Sequence, residues 1–269
     1  MRHCALPPNP SLFAHMLFAL TVGLSALMPV ACSDVAGGSS PSGQSAPGSI
    51  AGSGDDMYYE YSITSTGKDI SMTGYTKLYV SSGGGLRSEM DLINPAARKT
   101  APIVTIGNKD KPNQSIMIDD SAKTWSLNLI DTMMSTPSNG LFKISSTVTK
   151  VGEEKIMGFT CIHARVISIR SMGALGKLTD TVELWNSPNV PMAPFFRHFM
   201  DKSFSKSWAS LMSPEATDQL KQMGCAGFMV KIHSGSPSSG MNMELTKVQK
   251  GDFPKSMFEV PIDYKEDKQ

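Results

Sequence analysis

Apolar and polar residues alternate one by one along much of the chain after residue 56. In the first such segment Tyr59, Tyr61 and Ile63 fall on one face, and Glu60 and Ser62 fall on the other. The same alternation recurs in segments 70–80, 86–92, 125–129, 228–232 and 241–245. A period of two residues is typical of β-strands with one buried and one wetter face, so the pattern predicts an antiparallel β-sheet.

Residues that favour turns separate these predicted strands. Turns are expected at Thr66–Gly67, Gly83–Gly85, Asp119–Ser121 and Gly152–Glu154. Segments 95–114 and 131–140 show neither the strand period nor the helix period. These two segments are therefore predicted to be long loops.

The spacing changes after Pro194, where the apolar residues follow a helical period. They are Phe196, Met200, Phe204, Trp208, Leu211 and Met212. Such a stripe predicts a helix that packs on the sheet. A second, short helix is expected between Ser213, a favourable N-cap, and Gly224, a favourable C-terminal cap, with Pro214 in its first turn. The predicted fold is mainly β (α+β): a curved antiparallel sheet or half-open barrel with covering helices.

The N-terminal segment has the features of an export signal. Residues 12–31 are almost all apolar, follow Arg2 and precede a Gly/Ser-rich stretch. Pro29, and the lack of a basic cluster after the run, argue against a membrane-spanning anchor. Cys32 resembles the lipidated cysteine of a bacterial lipobox, although Pro29 stands where that motif has leucine. Cleavage near Ser33 without lipidation is the alternative, and it gives a secreted protein.

The next stretch separates this signal from the β-rich region. Residues 33–56 consist mainly of Gly, Ser, Pro and Ala, which bury too little apolar area to offset the entropy of ordering. The expected organisation is a signal peptide at 1–31, a flexible tether at 32–56 and one β domain at 57–269. The expected location is the cell envelope, in the periplasm or outer membrane, with Cys32 as the attachment to the membrane.

Charge and motifs narrow the possible functions. The formal net charge is +1 and there is no block of like charges, which argues against nucleic acid as a partner. The sequence contains no nucleophile elbow, zinc-protease motif, P-loop or dinucleotide fingerprint. We therefore expect no enzyme activity and no cofactor.

Two cysteines remain in the predicted domain, Cys161 and Cys225. In an oxidising compartment such a pair predicts a disulfide, and two buried free thiols are the alternative. A minor alternative function is metal binding, in which both thiolates join His163 and His233 in a zinc-type site. That spacing matches no known signature.

Methionine is abundant, with 19 in the chain. Its flexible thioether suits a cavity that adapts to apolar ligands, although ordinary core packing is the simpler explanation. Together with the aromatic stripe, it suggests a cavity for an acyl chain, a lipoprotein or another hydrophobic ligand. The candidate lining residues are Tyr59, Tyr61, Met72, Leu127, Phe196, Phe199, Phe204, Trp208, Met241 and Met243. The alternative is an envelope protein without a cavity, whose interior is filled by its own side chains and whose partner is another envelope protein.

Several motifs resemble the family catalogued as domain of unknown function DUF4412. They lie at Tyr58–Tyr61, Arg87–Met90, Asp119–Leu129, Gly158–Val166, Thr181–Pro191 and Met241–Lys265. That family is similar to the lipoprotein-carrier folds of LolA and LppX type, in which helices cover an apolar cavity in a half-barrel. The resemblance implies an envelope location and binding of lipid or lipoprotein. It supplies no site residues.

Overall fold

The computed structural model describes residues 54–67, 71–93, 102–111, 114–129, 143–171, 176–193, 195–197, 212–236 and 239–267. Their strands are β1 (Asp56–Thr66), β2 (Ser71–Val80), β3 (Gly85–Ile93), β4 (Ile103–Asn108), β5 (Gln114–Asp119), β6 (Thr124–Leu129), β7 (Lys143–Ile156), β8 (Phe159–Ser171), β9 (Lys177–Ser187), β10 (Phe228–Ser236), β11 (Ser239–Gly251) and β12 (Lys265–Glu266). They form one open sheet in the order β12-β6-β5-β4-β3-β2-β1-β11-β10-β9-β8-β7. The predicted mainly β fold with a curved, open antiparallel sheet is confirmed.

Antiparallel pairing joins all neighbours in this order except β12 and β6, which are parallel. The first strand and the eleventh strand lie side by side at the centre of the sheet, because β1 pairs with both β2 and β11. The strands before and after the helical region therefore share one continuous surface. All the strands predicted from alternation are present.

The predicted loop at 95–114 is wrong in part, because β4 occupies Ile103–Asn108. Val104, Thr105 and Ile106 are all buried, so this strand is covered on both faces. A strand buried on both faces loses the period of two that marks a half-exposed one. The other predicted loop, 131–140, lies outside the described residues.

One predicted turn is also wrong. Gly152–Glu154 lies inside β7, and the chain reverses at Met157 and Gly158 instead. These residues have φ values of 51° and 83° and form a two-residue loop between Ile156 and Phe159. Positive φ at both positions is the geometry of the type I′ turn, which glycine adopts freely and Met157 adopts under the pairing of two long strands.

The short predicted helix is present as α1 (Pro214–Gln222). The Ser213 hydroxyl accepts a hydrogen bond from the Ala216 amide, and Gly224 has a φ of +75° after the helix. Of the longer predicted helix, Phe195–Arg197 is helical, and residues 198–211 lie outside the described part.

The sheet buries different faces at its two halves. We call the face that carries Tyr59, Tyr61 and Ile63 the inner face, and the opposite one the outer face. The main core lies on the inner face and includes residues of β1, β10, β11 and α1, and α1 contacts β7. A second cluster lies on the outer face, where Val104, Ile106 and Ile118 pack against Val260 and Tyr264 of the C-terminal segment. This segment contains the 3-10 helix Lys255–Phe258.

Candidate functional site

Four aromatic rings meet on the inner face over β1 and β10. We call Tyr59, Tyr61, Phe196 and Phe228 the aromatic cluster. Ring centroids lie 4.5 Å apart for Tyr59 and Phe228, and 6.1 Å apart for Tyr59 and Phe196. The Tyr59 hydroxyl donates to the Pro191 carbonyl at 2.7 Å, and the Tyr61 hydroxyl donates to a backbone carbonyl of β10 at 2.7 Å. Burial raises the pKa of both phenols, so both remain neutral donors.

Half of the candidate lining residues lie in this packed region. They are Tyr59, Tyr61, Phe196, Met241 and Met243, all buried. The register places Tyr61 beside Leu245 and Ile63 beside Met243, so both methionines share the inner face with the tyrosines. These side chains form a packed wall. Phe199, Phe204 and Trp208 lie outside the described residues.

Leu127 was assigned to the lining set in error. It pairs with Ile116, which lies on the outer face beside Ile106, and its side chain is 47% exposed. Alternation within β6 correctly separates Leu127 from Ser126. Which of the two faces points inward depends on the register across five strands, and one local segment does not contain that information.

An exposed apolar stripe crosses the inner face beside the packed wall. Met72, Leu92 and Met117 are partly exposed, and Ile103 is 40% exposed. The register makes them diagonal neighbours: Ile103 pairs with Met90, two residues from Leu92, and Thr105 pairs with Met117. Diagonal neighbours on one face lie within reach of long side chains. We call Met72, Leu92, Ile103 and Met117 the inner groove.

Small polar residues border the inner groove on β4, β5 and β6. We call Thr105, Ser115, Ser126 and Asn128 the polar wall. Ser115 pairs with Asn128, and Met117 of the groove pairs with Ser126, so all lie on the inner face. Thr105 and Ser115 are buried. Of the groove, sequence reasoning had included only Met72, and it had missed the polar wall entirely.

The outer face over β8 and β9 carries a network of charged and aromatic groups. Glu183 accepts a hydrogen bond from Arg165 Nε at 2.5 Å, and its other oxygen lies 2.6 Å from His163 Nε2. The His163 ring stacks on Trp185 with centroids 4.0 Å apart, and the indole N–H donates to Glu154. These groups satisfy one another, and the network therefore cross-links β7, β8 and β9.

The residues of the alternative metal site have other partners. They are Cys161, His163, Cys225 and His233. His163 pairs with Glu183, and His233 Nδ1 lies 2.7 Å from Asn242 Oδ1. The two thiols donate to backbone carbonyls at 3.5 and 3.6 Å. Within the described part of the chain, no group of three or more His, Cys, Asp or Glu side chains is placed to bind a metal ion.

Cys161 and Cys225 are free, buried thiols in the structure, which is the alternative to the predicted disulfide. Burial raises the pKa of each to about 11. At about pH 8 such a thiol is ionised in about one molecule in a thousand. We expect iodoacetamide to leave both thiols unmodified in the native protein and to alkylate both in concentrated guanidinium chloride without a reductant. If iodoacetamide does not change the mass of the protein in guanidinium chloride, Cys161 and Cys225 instead form a disulfide.

Fold and site together define an open-sheet β protein with a packed aromatic wall and an exposed apolar groove on one face. The chain belongs to the family described as domain of unknown function (DUF4412), whose model matches residues 61–264. No curated protein matches the sequence significantly. Among the described residues, the helices are too short or too polar to cross a membrane.

Several solved structures show a loose likeness to this fold. The lipoprotein LppX from Mycobacterium tuberculosis has 11% identity and a TM-score of 0.34, with coverage of 72% of this chain and 86% of LppX. LprF from Mycobacterium bovis has 8% identity and a TM-score of 0.32, with coverage of 77% and 90%. A LolA-superfamily protein from Nitrosomonas europaea has 8% identity and a TM-score of 0.32, with coverage of 78% and 92%.

Proposed function

We propose that this protein binds an acyl chain or another hydrophobic ligand along the inner groove. One observation carries this proposal: Ile103 is 40% exposed, although it lies on the face that elsewhere forms the main core. Apolar side chains on a core face are normally covered, and covering them contributes about 25 cal/mol per Å². A ligand chain laid across Met72, Leu92, Ile103 and Met117 supplies that cover.

The composition of the groove suits a flexible chain. Met72 and Met117 are unbranched and adapt to different ligand shapes. The buried Met241 lies near Met72 on this face, because both residues pair with Ser65, so the packed wall borders one end of the groove. A rigid wall next to adaptable side chains favours recognition by shape and apolar area over recognition by a specific polar pattern.

The same proposal places the protein at the cell envelope. Residues 1–31 direct export, and lipidation of Cys32 attaches the chain to a membrane. Each buried methylene of the lipid contributes about 0.8 kcal/mol to anchoring. A Gly/Ser-rich tether of the length of residues 33–53 spans roughly 23–27 Å, enough to hold the domain near the bilayer without fixing its orientation. Without lipidation, the same domain is secreted.

Native mass spectrometry of the full chain purified from membranes tests ligand binding. We expect adducts above the polypeptide mass that organic extraction removes and that a fluorescent fatty acid replaces. The extract identifies the ligand. A single mass without adducts, together with no uptake of the fluorescent fatty acid by the extracted protein, would contradict the proposal.

The packed wall favours a second candidate function, that of a structural or interaction protein of the envelope. Tyr59, Phe196, Phe228 and Met243 fill the inner face with the protein's own side chains. In that case in vivo cross-linking captures one reproducible envelope protein, and the purified chain carries no lipid. Lipid on the purified chain distinguishes the first function from the second.

A further inference from the structure

Two polar groups of the polar wall are buried and have no partner among the described residues. Ser115 Oγ and Asn128 Nδ2 make no hydrogen bond within that part of the chain, and Ser115 is only 1% exposed. The two residues face each other across β5 and β6 and point to the inner face. Directly opposed side chains lie about 5 Å apart at Cβ. Since buried polar groups are nearly always paired in native proteins, this unpaired couple calls for an explanation.

The residue next to Ser115 on β4 is a glycine, Gly107. Gly107 pairs with Ser115 on one side and with Leu86 on the other. A Cβ added at Gly107 would meet, among the described residues, only the Leu86 side chain, at 3.6 and 3.7 Å. A methyl group would therefore fit at Gly107 without a clash with a described residue, so no described side chain covers the glycine beside Ser115. The inner groove residue Met117 lies two positions along the same strand.

The chemistry of Ser115 and Asn128 determines which ligand groups can bind beside them. The amide NH₂ of Asn128 can only donate a hydrogen bond, and the Ser115 hydroxyl can also donate, so an acceptor oxygen satisfies both groups. Among the described residues of β2 to β6, the inner face carries no Lys or Arg, and its charged side chain is Asp119, exposed at the end of β5. The lysines of the loop between β4 and β5, Lys109 and Lys111, are exposed. A phosphate or carboxylate buried beside Ser115 would therefore lose its hydration without a counter-charge on this face.

We propose that the polar wall is a head-group subsite for an uncharged, oxygen-bearing group, such as a glycerol ester, attached to the apolar chain in the inner groove. This inference rests on the proposed function. Ser115 and Asn128 donate to ester or hydroxyl oxygens of the ligand, which lie next to Gly107. The Ser115 and Asn128 donors are thus satisfied only in the bound state. They therefore discriminate between ligands that share an acyl chain but differ in head group.

Isothermal titration of the full chain carrying Cys32→Ser, with 1-decanoylglycerol, decanoate and decyl phosphate, tests the subsite. We expect the glycerol ester to bind about tenfold more tightly than either anion, because only it satisfies the donors without burying a charge. In the Ser115→Ala/Asn128→Leu double variant this preference disappears. Because the two substitutions remove two unsatisfied groups, the Tm of the double variant should equal or exceed that of the parent.

Ser62→Ala, on the outer face of β1, is the matched control and retains the preference. Ser115→Ala alone, the smaller change, should lose part of the preference even if the double variant folds poorly. Equal binding of all three ligands, or a preference that survives in both variants, would contradict the head-group subsite. It would still agree with the proposed binding of an acyl chain in the inner groove. Failure of all three ligands to bind overturns the proposed function itself.

Discussion

Tyr59→Ala is expected to destabilise the domain by about 4 kcal/mol, because it empties the centre of the aromatic cluster. The Tyr59 ring is fully buried and stacks on Phe228 with centroids 4.5 Å apart. Its loss removes buried apolar area, leaves a cavity and strands the Pro191 carbonyl that accepts the phenol hydrogen bond. Urea unfolding followed by circular dichroism measures the change.

Two variants separate the contributions of ring and hydroxyl. Tyr59→Phe keeps the ring and removes the hydrogen bond, so we expect a loss of about 1 kcal/mol. Tyr58→Ala removes a ring from the outer face of the same strand, where Tyr58 is only partly buried beside Tyr79, and should cost about 1–2 kcal/mol. A Tyr59→Ala loss no larger than that of Tyr58→Ala would show that the wall is loosely packed.

Ile103→Glu should weaken binding of a fluorescent fatty acid by roughly 30- to 100-fold. The substitution removes the most exposed apolar side chain of the inner groove and places a carboxylate where the ligand chain lies. Lost apolar contact and desolvation of the new charge together amount to about 2–3 kcal/mol. The unliganded domain should unfold within about 1 kcal/mol of the parent, because the side chain is 40% exposed.

Leu127→Glu supplies the matched control for this experiment. Leu127 is 47% exposed, lies within three strands of Ile103 and points to the outer face. The same change of chemistry there should leave fatty-acid affinity within about twofold of the parent, since no proposed ligand contact is lost. Equal effects at both positions would mean that the ligand does not lie on the inner face.

The segments with the clearest local signals were predicted correctly. Alternation over β1, β10 and β11 marked strands with one buried face, and the structure has them. Ser213 and Gly224 marked the ends of α1, because capping is a matter of one side chain or one φ angle near the helix end. The failure at β4 has the opposite cause: the burial of its outer face comes from the C-terminal segment, more than 150 residues away along the chain.

The candidate site was less accessible from sequence than the fold. Tyr59 and Met243 were correctly placed on the face of the main core, but they pack against other side chains there. Ile103 lay in a segment without a pattern, and Ser115 and Asn128 looked like ordinary polar residues of alternating strands. That all three side chains point inward is a consequence of pairing through β5, β4, β3 and β2 to β1.

By itself the sequence determined the type of domain, the family, and the location of most strands and of α1, because period, turn and cap signals act over a few residues. Tertiary structure alone decided which side of each strand is inside. A shift of one residue in pairing moves every side chain of a strand to the other face. The accumulated register across the sheet is therefore what separates Leu127 from Ile103, and brings Ser115, Asn128 and Gly107 together beside the inner groove.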